Sequence, residues 1–276
     1  MGKPNAIELG DGSRLPILYE DRAVLAIDKP VGWMLVPFNW QRTRWNLQAA
    51  IESSIRSGAF WATSRQLSFL RHVHRLDAET SGVLLFGKSR GAVETLGDLF
   101  ESRAMEKTYL AVVSGVPKRA AWDCHLKLGP DPKVIGRVRV DARLGKEAAT
   151  SFRLLASRRD SLFGDISLVE ARPVTGRQHQ IRVHLAATGH PVAGDPLYGL
   201  PATQGSQPMG LRAVRLAYRC PFTRRTVDIR APTEEFLREY GFAGAPLAAD
   251  PIVPPPRAQP RARAEGNESH QPRRRG

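Results

Sequence analysis

Apolar residues recur along this chain in short runs, separated by glycine, proline and acidic turns. Such runs favour strands over long helices. Residues 15–19 and 23–27 read as two strands around Glu20-Asp21-Arg22, and Lys29-Pro30-Val31-Gly32 closes them. Residues 53–64 carry only a weak helical period. The run 82–86 reads as a short buried strand. Over 89–104, Val93, Leu96, Leu99 and Phe100 fall on one helical face behind a capping Ser89. Residues 108–113 read as a strand stopped by Ser114-Gly115, and 151–157 and 165–171 as strands flanking a turn at Gly164. Residues 178–187 predict a helix stopped by Gly189 and Pro191. A hairpin is expected from 213–219 and 226–230, then a last short helix over 233–240, opened by Thr-Glu-Glu. Strands outnumber helices and no repeat is evident, which points to an antiparallel or mixed sheet decorated by a few helices.

The pattern fails over residues 251–276, which hold six prolines, six arginines and no aromatic residue. Such a segment cannot bury enough apolar surface to offset its ordering entropy, so it reads as a disordered basic tail. Against its six arginines stand only Glu265 and Glu268, a net +4, which leaves +10 of the chain's +14 on residues 1–250. A globular part this basic suits a polyanionic partner, with nucleic acid favoured over solubility alone. Two cysteines, Cys124 and Cys220, build no disulfide framework and fit a reducing cytosol. No apolar run is long enough for a membrane helix, and the first residues lack the pattern of a secretory signal.

The chemistry-bearing residues gather in three clusters. The first is His72-Val73-His74-Arg75-Leu76-Asp77-Ala78-Glu79-Thr80-Ser81-Gly82, just ahead of the apolar run. A polar loop before a buried strand suits a site. Three readings compete: Asp77 as a nucleophile or base beside a cation, His72, His74 and Asp77 as metal ligands, or Asp77 as a turn cap near Thr80. The second cluster, Thr175 to Leu185, opens the 178–187 helix and sets His179 and Arg182 on one face. Its guanidinium can clamp a carboxylate or phosphate, or it can belong to a solvated basic face. Zinc at His179 and His184 is disfavoured, because five residues apart they face differently. The third, Gly189 to Gly199, has three glycines and two prolines and reads as a rigid connection.

The stretch HRLDAETSGVLLFGKS resembles the signature of the RluA-type pseudouridine synthases, and GRQHQIRVHLAATGHPVAGDPLYG resembles that family's second long signature. KTYLAVVSG resembles the strand carrying the family's active-site tyrosine, and YEDRAVLAIDKPVG its N-terminal opening. The four motifs stand in the family's order, and the resemblance runs from about residue 15 to 232.

The resemblance implies a cofactor-free, metal-free enzyme that isomerises uridine to pseudouridine in RNA. The bond from uracil N1 to the ribose breaks, the base turns, and it rejoins through C5. By motif match Asp77 is the catalytic aspartate, attacking either base or sugar, Arg182 its arginine partner and Tyr109 the tyrosine on the target base. Arg75 matches a residue filling the space of a flipped-out nucleotide, and Leu211 is expected against the base. His74, His179 and His184 are expected to hold backbone. Trp33, Trp40, Trp45 and Trp61 are expected mainly in the core, and Arg212 stands where relatives often carry histidine. The implied fold is α+β, a mostly antiparallel mixed sheet bent across a central RNA-binding cleft with helices on its flanks. Residues 1–14 would be an extension, 15–250 the catalytic domain and 251–276 the tail. The expected setting is a cytoplasmic monomer acting on ribosomal or transfer RNA without an obligatory protein partner. A non-catalytic RNA-binding protein of the same fold is the alternative, and a metal-dependent hydrolase using His72, His74 and Asp77 ranks third.

Overall fold

A computed structural model describes residues 2–35, 45–201, 204–205 and 207–247. Trp40 and the tail 251–276 lie outside them. The strands are β1 (Ala6–Glu8), β2 (Arg14–Glu20), β3 (Val24–Lys29), β4 (Arg71–His72), β5 (Ser81–Gly87), β6 (Glu106–Ser114), β7 (Ala121–Cys124), β8 (Leu128–Pro130), β9 (Val138–Val140), β10 (Thr150–Asp160), β11 (Gly164–Pro173), β12 (Leu211–Arg219) and β13 (Thr226–Arg230). The helices are α1 (Leu47–Arg56), α2 (Phe60–Thr63), α3 (Arg90–Glu101), α4 (Gln180–Ala187) and α5 (Glu234–Glu239). None among the described residues is long and apolar enough to cross a membrane.

Eleven strands form one sheet in the order β1-β2-β3-β5-β12-β6-β11-β10-β7, with β4 beside β5 and β13 beside β12. Strands β8 and β9 form a separate hairpin. Of the pairings between the named strands, β12 with β5 alone is parallel, and it lasts two residue pairs, Arg212 with Ser81 and Ala213 with Gly82. Two wings of the sheet therefore meet along a very short seam. Next to it, β12 slips its register against β6 between Ala213 and Arg215, a bulge that re-aims side chains beside a site.

The central strands are apolar on both faces because both faces are covered. In β6, Ala111 and Val113 pack towards Ile181 and Leu185 of α4, while Leu110 and Val112 pack towards Phe236 and Leu237 of α5. In β5, Val83 and Leu85 join Leu96 of α3, and Leu84 and Phe86 join the buried Trp61 of α2. Ser89 caps α3 as expected, accepting from the Ala92 amide at 3.2 Å. Trp33 and Trp61 are core residues, whereas Trp45 is exposed and meets Trp33 edge-on at 5.1 Å.

Four expectations need correcting. The weak period over 53–64 covers two helices, α1 and α2, broken at Ser57-Gly58 where Gly58 takes a positive φ of 72°. Helix α1 starts earlier than expected because Asn46 caps it through the Ala49 amide. Thr233 makes no side-chain cap for α5. Residues 1–14 are no mere extension: β1 pairs with β2, Ile7 is fully buried, and the Glu8 carbonyl accepts from Ser54 of α1.

Candidate active site

Asp77 sits on the loop between β4 and β5. The Thr80 amide closes its turn by donating to the backbone carbonyl of Asp77 at 3.1 Å. The carboxylate is thereby left free of the capping role, and its Oδ2 accepts from Arg182 Nη1 at 2.9 Å. Arg182 rises from α4 with only 1 % of its surface exposed, so α4 presents no solvated basic face there. A buried guanidinium needs its donors filled. Asp195, fully buried in the Gly189–Gly199 connection, takes two of them: Nε and Nη2 donate to Oδ2 and Oδ1, both at 2.7 Å. The Leu197 and Tyr198 amides also donate to Asp195 Oδ1. The Arg182 guanidinium stands over the Tyr198 ring, 5.2 Å from its centre, and Glu79 approaches it at 3.7 Å. The carboxylates around it hold Arg182 above its already high ordinary pKa, although burial pulls the other way.

Two further groups hold the Asp77 loop. Lys29, at the end of β3, is fully buried and donates to the carbonyls of Pro30, Ala78 and Thr80 at 2.9, 3.1 and 2.8 Å. Burial pushes its ammonium down to about 8, while the charges of Asp77 and Glu79 work against that fall. Gly82, where the loop enters β5, has a φ of 110°, and any Cβ there would run into the Ala213 carbonyl of β12.

A cavity of about 500 Å³ opens beside the carboxylate, lined among others by Asp77, Tyr109, Ile181, Arg182 and Leu211. Tyr109 comes from β6 and Leu211 from the start of β12, so the sheet seam brings the expected residues to one wall. Burial, and then the Asp77 charge, pushes the Tyr109 phenol above its ordinary pKa and keeps it protonated. Arg75 is exposed and lines both this cavity and a second of about 470 Å³ that Asp77 also lines. All five expected residues, Asp77, Tyr109, Arg182, Arg75 and Leu211, thus surround one opening.

The histidines divide. His72 Nδ1 lies 2.9 Å from Gln48 Oε1. His74 Nε2 accepts from the Leu85 amide at 3.1 Å, its ring stacks on Phe100, and burial drives its pKa down to about 3. His184 bridges Thr150 Oγ1 and the Leu126 carbonyl, both at 3.0 Å. No group of three or more His, Cys, Asp or Glu side chains able to hold a metal occurs among the described residues. His179 is a correction: it holds no backbone through its ring but turns Nδ1 to Tyr198 and Nε2 towards Asp77. Arg212 joins Asp28, Ser81 and the Pro232 carbonyl, and so ties β3, β5 and the chain after β13 together.

The sequence motifs did not disclose Asp195, Lys29 or Tyr198. One signal was available: an arginine set among Ile181, Val183 and Leu185 of one short helix is poorly placed to reach water, a buried guanidinium needs its remaining donors filled, and the adjoining connection contains an acid.

The sequence model of a family described as RNA pseudouridylate synthase matches residues 23–187. The ribosomal large subunit pseudouridine synthase C of Vibrio cholerae is 34 % identical over 232 residues, covering 81 % of this chain and 67 % of that protein. The dual-specificity RNA pseudouridine synthase RluA of Haemophilus influenzae is 32 % identical over 221 residues, covering 80 % of this chain and 94 % of that protein. Among solved structures, human RNA pseudouridylate synthase domain containing 1 aligns with a TM-score of 0.67 at 23 % identity, over 86 % of this chain and 91 % of that one. Its counterpart, domain containing 4, aligns at 0.65 and 20 % identity, over 84 % and 94 %. These two structures share the fold.

Proposed function

The chain belongs to the RluA-type family of RNA pseudouridine synthases, and from that premise we propose how its own residues carry the isomerisation and which RNA they meet. The enzyme converts uridine to pseudouridine in RNA. Asp77 is the reacting carboxylate. Arg182 holds Oδ2, so Oδ1 is the oxygen left to react. Asp195 fixes the guanidinium and thereby the direction of Asp77.

A uracil inside a duplex or tight loop is out of reach, so the nucleotide flips into the cavity at a cost of a few kcal/mol. Tyr109 offers a flat ring to the extruded base, and such stacking contributes about 1–3 kcal/mol. As a neutral phenol it can meet an anionic uracil without repulsion. Leu211 closes the apolar side, and exposed Arg75 enters the space that the nucleotide vacates. The substrate is structured RNA, ribosomal or transfer, held through its phosphates by a basic surface. Residues 15–250, together with β1, form the catalytic domain, and the basic tail adds RNA affinity. A monomer acting without an obligatory protein partner is proposed, in the cytoplasm, a setting that the two buried free cysteines fit.

The observation that carries this reading is the Asp77–Arg182 pair at 2.9 Å on the wall that also presents Tyr109. The test maps pseudouridine by mass spectrometry in RNA from cells lacking the protein, rescued with wild type or Asp77→Ala. One or more sites should vanish and return only with wild type. Rescue by Asp77→Ala would remove Asp77 from its role. Persistence of every site, with redundant synthases deleted, would favour an RNA-binding protein instead.

A further inference from the structure

Asp77 is held firmly on one oxygen only. Its Oδ1 faces His179 Nε2 at 3.8 Å, with the histidine ring largely buried. His179 precedes α4 in a left-handed conformation, φ 53°, and its carbonyl accepts the Val183 amide that starts the helix. Left-handed backbone at a non-glycine residue beside a reacting group invites a functional explanation.

The other ring nitrogen supplies it. Nδ1 lies 2.8 Å from the Tyr198 hydroxyl, and that hydroxyl oxygen already accepts the Val138 amide of β9 at 2.9 Å. Were Nδ1 protonated, the phenol oxygen would receive two donors, and its own proton would lack this acceptor. With Nδ1 bare, the phenol donates to it and every group is matched. The hydrogen bond made by one imidazole nitrogen fixes the state of the other, so the ring proton rests on Nε2, aimed at Asp77. The opposite tautomer would set a lone pair against a carboxylate. Burial holds the imidazole below its ordinary pKa and so favours the neutral ring that this arrangement needs.

We propose that His179 is a positioning residue for Asp77: its Nε2–H, held in that tautomer by Tyr198, donates to Oδ1 when the target nucleotide closes the site. Hydrogen bonds that are long in a free enzyme shorten in the substrate complex. Arg182 on Oδ2 and His179 on Oδ1 then fix the carboxylate plane from both sides, leaving the second lone pair of Oδ1 to react. This rests on Asp77 being the reacting carboxylate.

The test compares His179→Gln with His179→Met in the full chain. Both are unbranched, close in size and equally strained at a positive φ, but glutamine alone can present an N–H near the place of Nε2. The substrate is total RNA, labelled with [5-³H]uridine, from cells lacking the protein. Joining C5 to the ribose expels the C5 hydrogen, so tritium release counts turnovers. With enzyme in excess, the maximal rate should fall about tenfold or more for Met, and stay within about threefold of wild type for Gln. The enzyme concentration giving half the maximal rate should be unchanged for both. Tyr198→Phe keeps the ring and should fall several-fold in maximal rate when assayed well below its melting transition, which guards against a misfolded Met variant. Equal losses in Gln and Met, a Met variant at wild-type rate, or a shift confined to half-saturation would overturn the proposal. Tritium release by Asp77→Asn at the wild-type rate would instead overturn the reading of Asp77 on which it rests.

Discussion

Arg182, itself buried, donates to two carboxylates, and the stronger claim belongs to the equally buried Asp195. Removing one partner of a buried ion pair typically costs about 3–5 kcal/mol, because the other charge stays behind. Asp195→Asn should therefore lower stability by about 3 kcal/mol in denaturant unfolding, and it should slow isomerisation about tenfold by letting Arg182 turn away from Asp77. Lys29 gives a prediction with a sign. Its folded pKa, about 8, lies below the ordinary 10.5, so between them the unfolded chain binds more protons. Stability contributed at Lys29 therefore rises with pH from 8 towards 10. The half-buried Lys107, which desolvation also lowers to about 8, adds to the same rise. Above 10 the raised phenols of Tyr109, Tyr218 and Tyr240 work the other way. Thermal melting from pH 8 to 10 should show a smaller increase in Lys29→Met than in wild type. At this scale Asp77, Arg182 and Tyr109 were legible because each lies within a dense motif. Asp195 and Lys29 were not, since a buried acid or lysine is written like a surface one until its partner is placed.

Elements were legible where local signals agree. Helix α3 has its apolar face, its Ser89 cap and its start all in sequence, although it ends at Glu101 rather than at 104, and Ser89→Ala should cost about 1 kcal/mol in unfolding free energy while leaving isomerisation intact. The long strands β6, β10 and β11 announced themselves through apolar runs and turn glycines. Strands β7, β8 and β9 did not, because each has three or four residues and owes its existence to a neighbour: β7 to the edge of β10, β8 and β9 to one another. The seam between β5 and β12 was also unreadable, since a parallel contact of two residue pairs leaves no periodic trace. Its requirement is nonetheless specific. Gly82→Ala places a methyl group against the Ala213 carbonyl at a φ that alanine resists, and it should destabilise the fold by about 4 kcal/mol or more, read as loss of soluble folded protein or a collapsed melting transition.

On the scale of the whole molecule the charge of +14 sets how RNA is met. Affinity should fall roughly tenfold or more between about 50 and 200 mM salt in a filter-binding or anisotropy titration. The β8–β9 hairpin is placed to contribute, with Lys133 and Arg139 exposed and Ile135, 87 % exposed, on the rim of the second cavity. Replacing Lys133 and Arg139 by alanine should flatten the salt dependence while the maximal rate is kept. The order of the sheet has a consequence in time. Strand β12 is made after the eleven strands that precede it in the chain, yet it lies in the middle, between β5 beside the Asp77 loop and β6 with Tyr109. Until residue 219 has emerged from the ribosome, β6 lacks its β12 partner, and β5 lacks the pairing at Ser81 and Gly82 that β4 leaves uncovered. Such non-local pairing is slow and leaves those edges prone to aggregate. The catalytic wall is therefore completed only after every other strand of the sheet but β13 has been made, and a chain broken off before β12 is an inactive client for chaperones rather than a weakened enzyme.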